Sequence, residues 1–350
     1  MNPINIIGGG LAGLTLGIGL RHQDIPVVIW EAGRYPRHRV CGEFISGRGL
    51  RTLDGLGLLD EMISLGAIRA RTALFFFGHN RSVVQNLPEP ALCISRYVLD
   101  HFLADHFRKL GGDLRESQKR ELSGGEGEVI AAGRRRSGGS RTGWFGLKVH
   151  ARNVRLESDL EMHVLRDGYV GICGLTGGMV NVCGLFRKRP IPSKEQVGRL
   201  ELLQGPIDSL LRTRLGRANF DEASFCSVAG FGFDRLPAVH CPEVRIGDAL
   251  SMIPPVTGNG MSMALESAEL ALAPLVAFSR GQLPWPEARL RVASSCDREF
   301  LGRLARANLL QRVTLLPGGS WWKRVALNSN PLWRGMFWAT RGHPAVASAS

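Results

Sequence analysis

Apolar residues near the start of the chain fall into short runs separated by glycine and charged residues. Residues 4–7 read Ile-Asn-Ile-Ile, six residues that include four glycines follow, and residues 14–20 are apolar at a spacing compatible with a helix. A second β-branched run begins after Pro26 and ends at Glu31. The pattern predicts a strand, a tight turn, a helix and a second strand.

The middle of the chain has a different pattern. Residues 71–91 and 144–225 carry β-branched and aromatic runs, which predict a largely antiparallel sheet. Helical periodicity then extends over residues 287–313 with few interruptions. We therefore expect an α/β protein with C-terminal helices.

The first turn reads Gly8-Gly9-Gly10-Leu11-Ala12-Gly13. In a G-x-G-x-x-G turn, the first glycine permits the bend, the second lets a pyrophosphate approach the backbone, and the third allows close helix–strand packing. The following helix directs free N–H groups toward the phosphates. Glu31 stands where an acidic residue accepts hydrogen bonds from a ribose, which favours FAD or NAD over NADP.

A second glycine-rich segment comes after a predicted strand at residues 244–246. It contains Gly247-Asp248, then Pro255, and then Gly258-Asn259-Gly260 before a helix that is predicted to begin at Met261. A helix N-terminus stabilises negative charge, and a reduced flavin is anionic around N1 and O2. This segment therefore suits a flavin better than a nicotinamide cofactor.

The second segment resembles the GD motif of an FAD family that includes geranylgeranyl reductases and para-hydroxybenzoate-hydroxylase-like monooxygenases. In that family the aspartate, here Asp248, holds the ribityl chain. Arg39-Val40-Cys41-Gly42-Glu43 resembles the family loop beside the isoalloxazine, and Arg96 to Asp100 resembles the family's R-x-x-L/F-D helix start. Motif and resemblance together predict cofactor contacts at Gly8, Gly10, Leu11, Ala12, Gly13, Glu31, Arg39, Cys41, Gly42, Arg96, Gly247, Asp248, Pro255, Gly258, Asn259, Gly260 and Met261.

Three residues are candidates for contact with the substrate or the reacting atoms. Arg37 and Arg39 lie shortly before Cys41 and would favour its thiolate, although a free cysteine is more often a small buried residue. Glu43 is a candidate proton donor near flavin N5, or else a solvated carboxylate. Tyr169 occupies the place of an aromatic segment that lines the prenyl tunnel in the reductases, so the resemblance implies substrate contact there.

Composition removes several other classes of function. The net charge of +13 comes from dispersed residues without a nucleic-acid-binding motif, so we expect a solvated basic surface and no nucleic-acid partner. Seven cysteines without a C-x-x-C pair predict reduced thiols, and no metal-binding motif occurs. The reduced thiols indicate a cytoplasmic location, and no membrane span is expected because Glu266, Glu269 and Pro274 interrupt the longest apolar stretch.

Peripheral membrane contact is a minor hypothesis. It rests on Trp321-Trp322 beside Lys323-Arg324, since aromatic and basic residues together can seat a helix at a lipid interface. Helix packing is the more frequent role for such tryptophans.

The expected fold is a Rossmann-like FAD-binding domain of the GR2 type, interleaved with an antiparallel substrate domain and followed by C-terminal helices. The predicted boundaries are 1–70, 92–139 and 226–283 for the FAD-binding domain, 71–91 and 140–225 for the substrate domain, and 284–350 for the helical cap. NADH, NADPH or another electron donor would reduce the FAD.

Three functions stay open from the sequence. The leading hypothesis is a geranylgeranyl-reductase-like enzyme that reduces a carbon–carbon double bond of an apolar isoprenoid or polyketide-like substrate. The first alternative is an FAD-dependent monooxygenase acting on an aromatic or polyketide-like substrate. The second is a non-catalytic flavin- or lipid-binding accessory protein, motivated by Ala132, which stands where the family usually has an aspartate.

Overall fold

A computed structural model describes residues 1–134, 143–187, 198–230, 232–233, 236–316 and 320–341, with the side chains of residues 320–322 left aside. Its strands are β1 Ile4–Ile7, β2 Val27–Glu31, β3 Phe44–Ile45, β4 Ile68–Phe77, β5 Asn80–Arg81, β6 Gln85–Cys93, β7 Asp113–Glu116, β8 Glu128–Ile130, β9 Trp144–Arg152, β10 Leu160–Leu165, β11 Gly168–Leu175, β12 Met179–Arg187, β13 Asn219–Ala229 and β14 Val244–Arg245. Its α-helices are α1 Leu11–Arg21, α2 Arg48–Gly55, α3 Leu59–Ser64, α4 Arg96–Lys109, α5 Arg199–Gln204, α6 Leu210–Leu215, α7 Gly260–Ser279, α8 Trp285–Thr314, α9 Ser320–Asn328 and α10 Asn330–Arg341.

A five-stranded parallel sheet forms the first layer, in the order β14-β8-β1-β2-β7. Strand β1 lies at its centre, where Ile4 and Ile6 are fully buried. Helix α1 packs against α4 and α7. The predicted order of strand, turn, helix and strand at the start of the chain is confirmed. The pattern was informative because parallel strands that are buried on both faces need an apolar composition.

A nine-stranded sheet forms the second layer, in the order β13-β9-β12-β11-β10-β4-β6-β3, with β5 paired to β4. Its strand pairs are antiparallel except β4 and β10, which run parallel. The expected largely antiparallel sheet is confirmed. The sheet also contains β3 and residues 68–70 and 92–93, which the sequence analysis placed in the FAD-binding domain. The predicted domain boundaries stay predictions.

The C-terminal helices return to the core of the molecule. Helix α8 packs on α7, and α10 contacts both α8 and β6. The carboxylate of Glu266 in α7 accepts bonds of 2.5 and 3.0 Å from Arg303 in α8, and both residues are almost fully buried. The predicted C-terminal helices are confirmed. An ion pair as well as apolar packing holds α8 against α7.

Helix α7 has the length and mean hydropathy of a membrane-spanning helix, yet 56% of its apolar window is buried inside the protein. Core helices of water-soluble folds have the same properties, and α7 lies in the main apolar core. The hypothesis of membrane contact depended on the side chains of Trp321 and Trp322, which lie outside the described part of the chain.

Candidate functional site

A cavity of about 1040 Å³ is lined by residues of both sheets and of the C-terminal helices. Ligand sites usually measure about 300 to 1000 Å³, so this volume can hold a large cofactor together with a substrate. Sixteen of the predicted site residues line it: Gly8, Gly10, Leu11, Ala12, Glu31, Arg39, Cys41, Gly42, Arg96, Tyr169, Gly247, Asp248, Pro255, Gly258, Gly260 and Met261. Gly13, Glu43 and Asn259 do not line it.

The glycine-rich turn forms one end of the cavity. Gly8 has a φ of +111°, and a Cβ there would lie 2.4 Å from the carbonyl oxygen of Ala131. A Cβ on Gly13 would lie 2.0 Å from the carbonyl oxygen of Gly8, so α1 packs directly on the turn. A Cβ on Gly10 would meet no atom within 4 Å. Gly10 therefore leaves space for a ligand, whereas Gly8 and Gly13 are required by the fold itself.

Glu31 closes the same end of the cavity. Its carboxylate accepts hydrogen bonds from the backbone N–H groups of Gly9 (2.9 Å) and Gly33 (2.7 Å), and it pairs with Arg37 at 2.7 Å. Burial alone would raise the pKa of Glu31, but the hydrogen bonds and the Arg37 charge lower it. Glu31 is thus an ionised acceptor beside the turn, as a ribose site requires.

The start of α7 forms the other end. Gly258 adopts a left-handed φ of +62°, and a Cβ there would lie 2.2 Å from the ring of Phe44. The first turn of α7 carries no acidic residue. No side chain of that turn therefore neutralises the positive end of the helix dipole, which faces the cavity with the free N–H groups. Asn259 points away instead and donates from Nδ2 to the carbonyl of Thr340 at 2.8 Å.

Asp248 follows β14 and faces the cavity. It is an exposed residue and it lines this space. Burial raises the pKa of Asp248, and the positive charge of Arg96 partly offsets that rise. A carboxyl group in such a place can accept hydrogen bonds from a polyol chain.

Arg96 is fixed by the first turn of its own helix. Its guanidinium donates two bonds to Asp100, at 2.6 and 2.7 Å, across one helical turn. Burial alone would lower the pKa of Arg96, but the charge and hydrogen bonds of Asp100 raise it. Arg96 therefore stays charged beside the cavity. The i, i+4 spacing explains why an R-x-x-L-D pattern marks this site.

Residues 1–151 match the family model described as an FAD binding domain. The N-terminal part of the chain is therefore similar to an FAD-binding domain. Monooxygenase 1 of Arabidopsis thaliana is 35% identical over 108 residues, which are 30% of this chain and 27% of that relative. FAD is accordingly the cofactor, and the open space at Gly10 and the α1 N-terminus fit its pyrophosphate.

Solved structures of flavin enzymes share the fold of this chain. The flavin-dependent brominase Bmp2 has a TM-score of 0.78 at 16% identity, with 97% of this chain and 93% of that chain covered. A flavoprotein/dehydrogenase from Cytophaga hutchinsonii has a TM-score of 0.75 at 15% identity, covering 98% and 93%. The myxobacterial chondrochloren halogenase CndH has a TM-score of 0.69 at 18% identity, covering 99% and 87%.

Cys41 and Gly42 line the cavity of this flavoprotein, but Cys41 is not the expected thiolate. Burial raises the pKa of its thiol, and Arg96 only partly opposes that rise. Arg37, which was expected to favour the thiolate, pairs with Glu31 instead. The expectation is therefore corrected to a neutral thiol that packs beside the site.

Glu43 also differs from its expected role, because it lies behind the cavity wall and is fully buried. Its carboxylate accepts the backbone N–H of Arg96 at 2.9 Å, contacts His150 Nε2 at 2.7 Å and lies 3.4 Å from Lys148 Nζ. Burial alone would raise the pKa of Glu43, but the His150 bond and the Lys148 charge lower it. An ionised, paired carboxylate does not donate a proton, so the expected role is corrected: Glu43 joins its own loop to the start of α4 and to β9.

Tyr169 lies among apolar residues that line the cavity. It packs with Leu185 and with Val256 from the loop before α7, and its exposed fraction is 5%. Its hydroxyl has no hydrogen-bond partner within the described part of the chain. Burial raises the pKa of Tyr169, so the phenol is neutral and can bind a polar group of a ligand.

Sequence reasoning missed Lys148, His150 and Arg341. Lys148 and His150 are buried polar residues of β9, and a charged residue inside the apolar run 144–151 was the available signal. Arg341 lines the cavity from the end of α10, and no local pattern indicates that. Among the described residues, no group of three or more His, Cys, Asp or Glu side chains could hold a metal ion.

Proposed function

We propose that this flavoprotein is an FAD-dependent monooxygenase that acts on an apolar small molecule. The supporting observation is a single cavity that joins the glycine-rich FAD end to an apolar chamber at Tyr169. The similarity to Monooxygenase 1 of Arabidopsis thaliana supports the same class of reaction.

Four groups in the cavity would hold FAD. The N–H groups at Gly10 and the start of α1 suit the pyrophosphate, and Glu31 suits the adenosine ribose. Asp248 suits the ribityl chain, and the start of α7 suits the flavin pyrimidine ring. Bound FAD would supply the redox chemistry, with NADH, NADPH or another donor as the reductant and dioxygen as the oxidant.

The protein's part in that reaction is to exclude water and to orient the substrate. Apolar side chains surround Tyr169, among them Met162 and Met252. The neutral Tyr169 hydroxyl would bind one oxygen atom of the substrate, because a buried polar group without a partner is costly. The chamber therefore favours an apolar ring or chain with one carbonyl or hydroxyl group.

The reductase hypothesis from the sequence stays a prediction, as does the accessory-protein alternative. The structure favours oxygenation in one respect: Glu43, the expected proton donor for double-bond reduction, is ionised and lies behind the wall. Cys41, a neutral thiol that lines the cavity, would be the candidate donor for the reductase mechanism.

The test is isotope labelling of metabolites. Cells expressing the wild-type chain or Asp248→Ala are grown under ¹⁸O₂, and their apolar extracts are compared by untargeted mass spectrometry. We expect a wild-type-dependent product that carries one ¹⁸O atom and is lost in the variant.

Asp208→Ala removes an exposed carboxylate far from the cavity lining and serves as the control, with an unchanged product. A wild-type-dependent product that gains two hydrogens and no ¹⁸O would replace the monooxygenase with the reductase. Identical extracts from wild type and Asp248→Ala would favour the accessory protein.

A further inference from the structure

Arg341 brings a positive charge from the last described turn of the chain into the flavin cavity. Its guanidinium donates to the carbonyl of Thr257 at 2.7 Å and to Ser46 Oγ at 2.9 Å. It also lies 4.1 Å from the ring centroid of Phe337 and bonds Thr340 Oγ1 at 3.2 Å. Each of these partners is neutral, so the contacts fix the guanidinium without cancelling its charge.

The lack of an acidic partner sets Arg341 apart from other buried arginines. Arg303 pairs with Glu266 and Arg96 pairs with Asp100. No carboxylate lies within 4.0 Å of Arg341 among the residues that the structure describes. Burial, reinforced by the Arg303 charge, lowers the pKa of Arg341 to about 9, and the more distant Glu89 charge offsets only part of that fall. Buried charges in proteins are normally paired, so a ligand charge at this place would be strongly stabilised.

The position of Arg341 identifies the end of the cavity at which such a charge would lie. Thr257, whose carbonyl it holds, is followed by Gly258, Gly260 and Met261, all of which line the same cavity. The N–H groups that open α7 add positive potential at the same place. Two independent positive groups therefore act on one region.

We propose that Arg341 raises the reduction potential of the bound FAD by stabilising the negative charge that the flavin gains on reduction. Two electrons and one proton leave one net negative charge on the flavin ring, whereas the oxidised ring is neutral. A fixed positive charge in a water-poor site therefore binds the reduced form more tightly. The inference goes beyond the proposed function, because it holds equally for a monooxygenase and for a reductase.

The test is the midpoint potential of protein-bound FAD, measured by spectroscopic titration against reference dyes. Arg341→Gln keeps an amide donor and loses the charge. We expect the preference for reduced over oxidised FAD to fall about tenfold, which is about 30 mV for a two-electron couple. Arg341→Lys keeps the charge and should retain most of the wild-type potential.

Arg306→Gln is the matched control, because Arg306 binds the Ala339 carbonyl near the same helix end but does not line the cavity. It should leave the potential unchanged. If Arg341→Gln does not fold, Ser46→Asp decides, because it places a carboxylate on the Arg341 guanidinium and should lower the potential in the same direction. A folded, FAD-loaded Arg341→Gln or Ser46→Asp protein with the wild-type potential would overturn the proposal.

Discussion

Gly10 and Gly13 belong to one turn, but a methyl group at each would meet different surroundings. At Gly13 it would collide with the carbonyl of Gly8, whereas at Gly10 it would enter open cavity space. The fold therefore depends on Gly13, and the ligand site depends on Gly10.

Gly10→Ala should leave the apo protein as stable as wild type and weaken FAD binding about tenfold or more, equal to about 1.4 kcal/mol. Gly13→Ala should lower the free energy of unfolding of the apo protein by about 2 kcal/mol, because overpacking displaces α1. Urea denaturation and fluorescence titration with FAD measure the two effects. Equal loss of apo stability in both variants would contradict this division of roles.

The buried pair of Glu43 and Lys148 gives a prediction about pH. Glu43→Gln leaves Lys148 buried without its carboxylate and should lower the free energy of unfolding by about 3 to 5 kcal/mol near pH 7. The folded-state pKa of Glu43 is lowered from 4.5, so its contribution is complete above that value and is lost as the pH falls through the folded-state pKa. The difference in the free energy of unfolding between wild type and Glu43→Gln should therefore become smaller at acidic pH.

Two further variants check the cause. Glu126→Gln removes an exposed carboxylate and should change stability little at any pH. Glu43→Gln combined with Lys148→Met should be more stable than Glu43→Gln alone, since no unpaired charge remains. A difference that stays constant down to about pH 3 would show that ionisation of Glu43 does not contribute.

Residue roles were predictable where their causes are local in sequence. Gly8, Gly10 and Gly13 act within one turn, and Arg96 is fixed by Asp100 one helical turn away. The error at Glu43 has a physical reason: its partner His150 lies 107 positions further along the chain. Nothing in the sequence near Glu43 reveals that partner.

The same distinction holds for whole elements. Strands β1 and β2 and helices α1 and α7 were predictable, because each shows its own apolar pattern and is bounded by glycines or charges. The parallel pairing of β4 with β10 was not predictable, because it joins segments far apart in the chain. That pairing begins beside Asp159, whose Oδ2 accepts bonds from Arg71 N (2.7 Å), Thr72 N (2.9 Å) and Thr72 Oγ1 (2.8 Å).

Asp159→Ala should loosen this junction, because the backbone N–H groups of β4 lose a charged acceptor at an irregularity of the strand. We expect the free energy of unfolding to fall by about 2 to 3 kcal/mol. Hydrogen exchange of the β4 amides should rise, while exchange in β1 should stay as in the wild type. Asp208→Ala is the control, and an effect of equal size in that variant would remove the special role of Asp159.

At the scale of the whole molecule, the two sheets and the C-terminal helices enclose one cavity. The glycine-rich turn belongs to the parallel sheet, Tyr169 belongs to the antiparallel sheet, and Arg341 comes from α10. The sequence motifs indicated the cofactor end of this cavity well, because binding motifs are local. The apolar chamber depends on tertiary packing and could be expected only in outline.

A crystal structure of the FAD-loaded protein tests this account most directly. We predict the pyrophosphate at Gly10, the isoalloxazine between the Cys41–Gly42 loop and the start of α7, and an open apolar space beside the Tyr169 hydroxyl. An isoalloxazine that fills the Tyr169 chamber, or that lies away from Asp248 and α7, would contradict the proposed cofactor site and leave no place for the substrate.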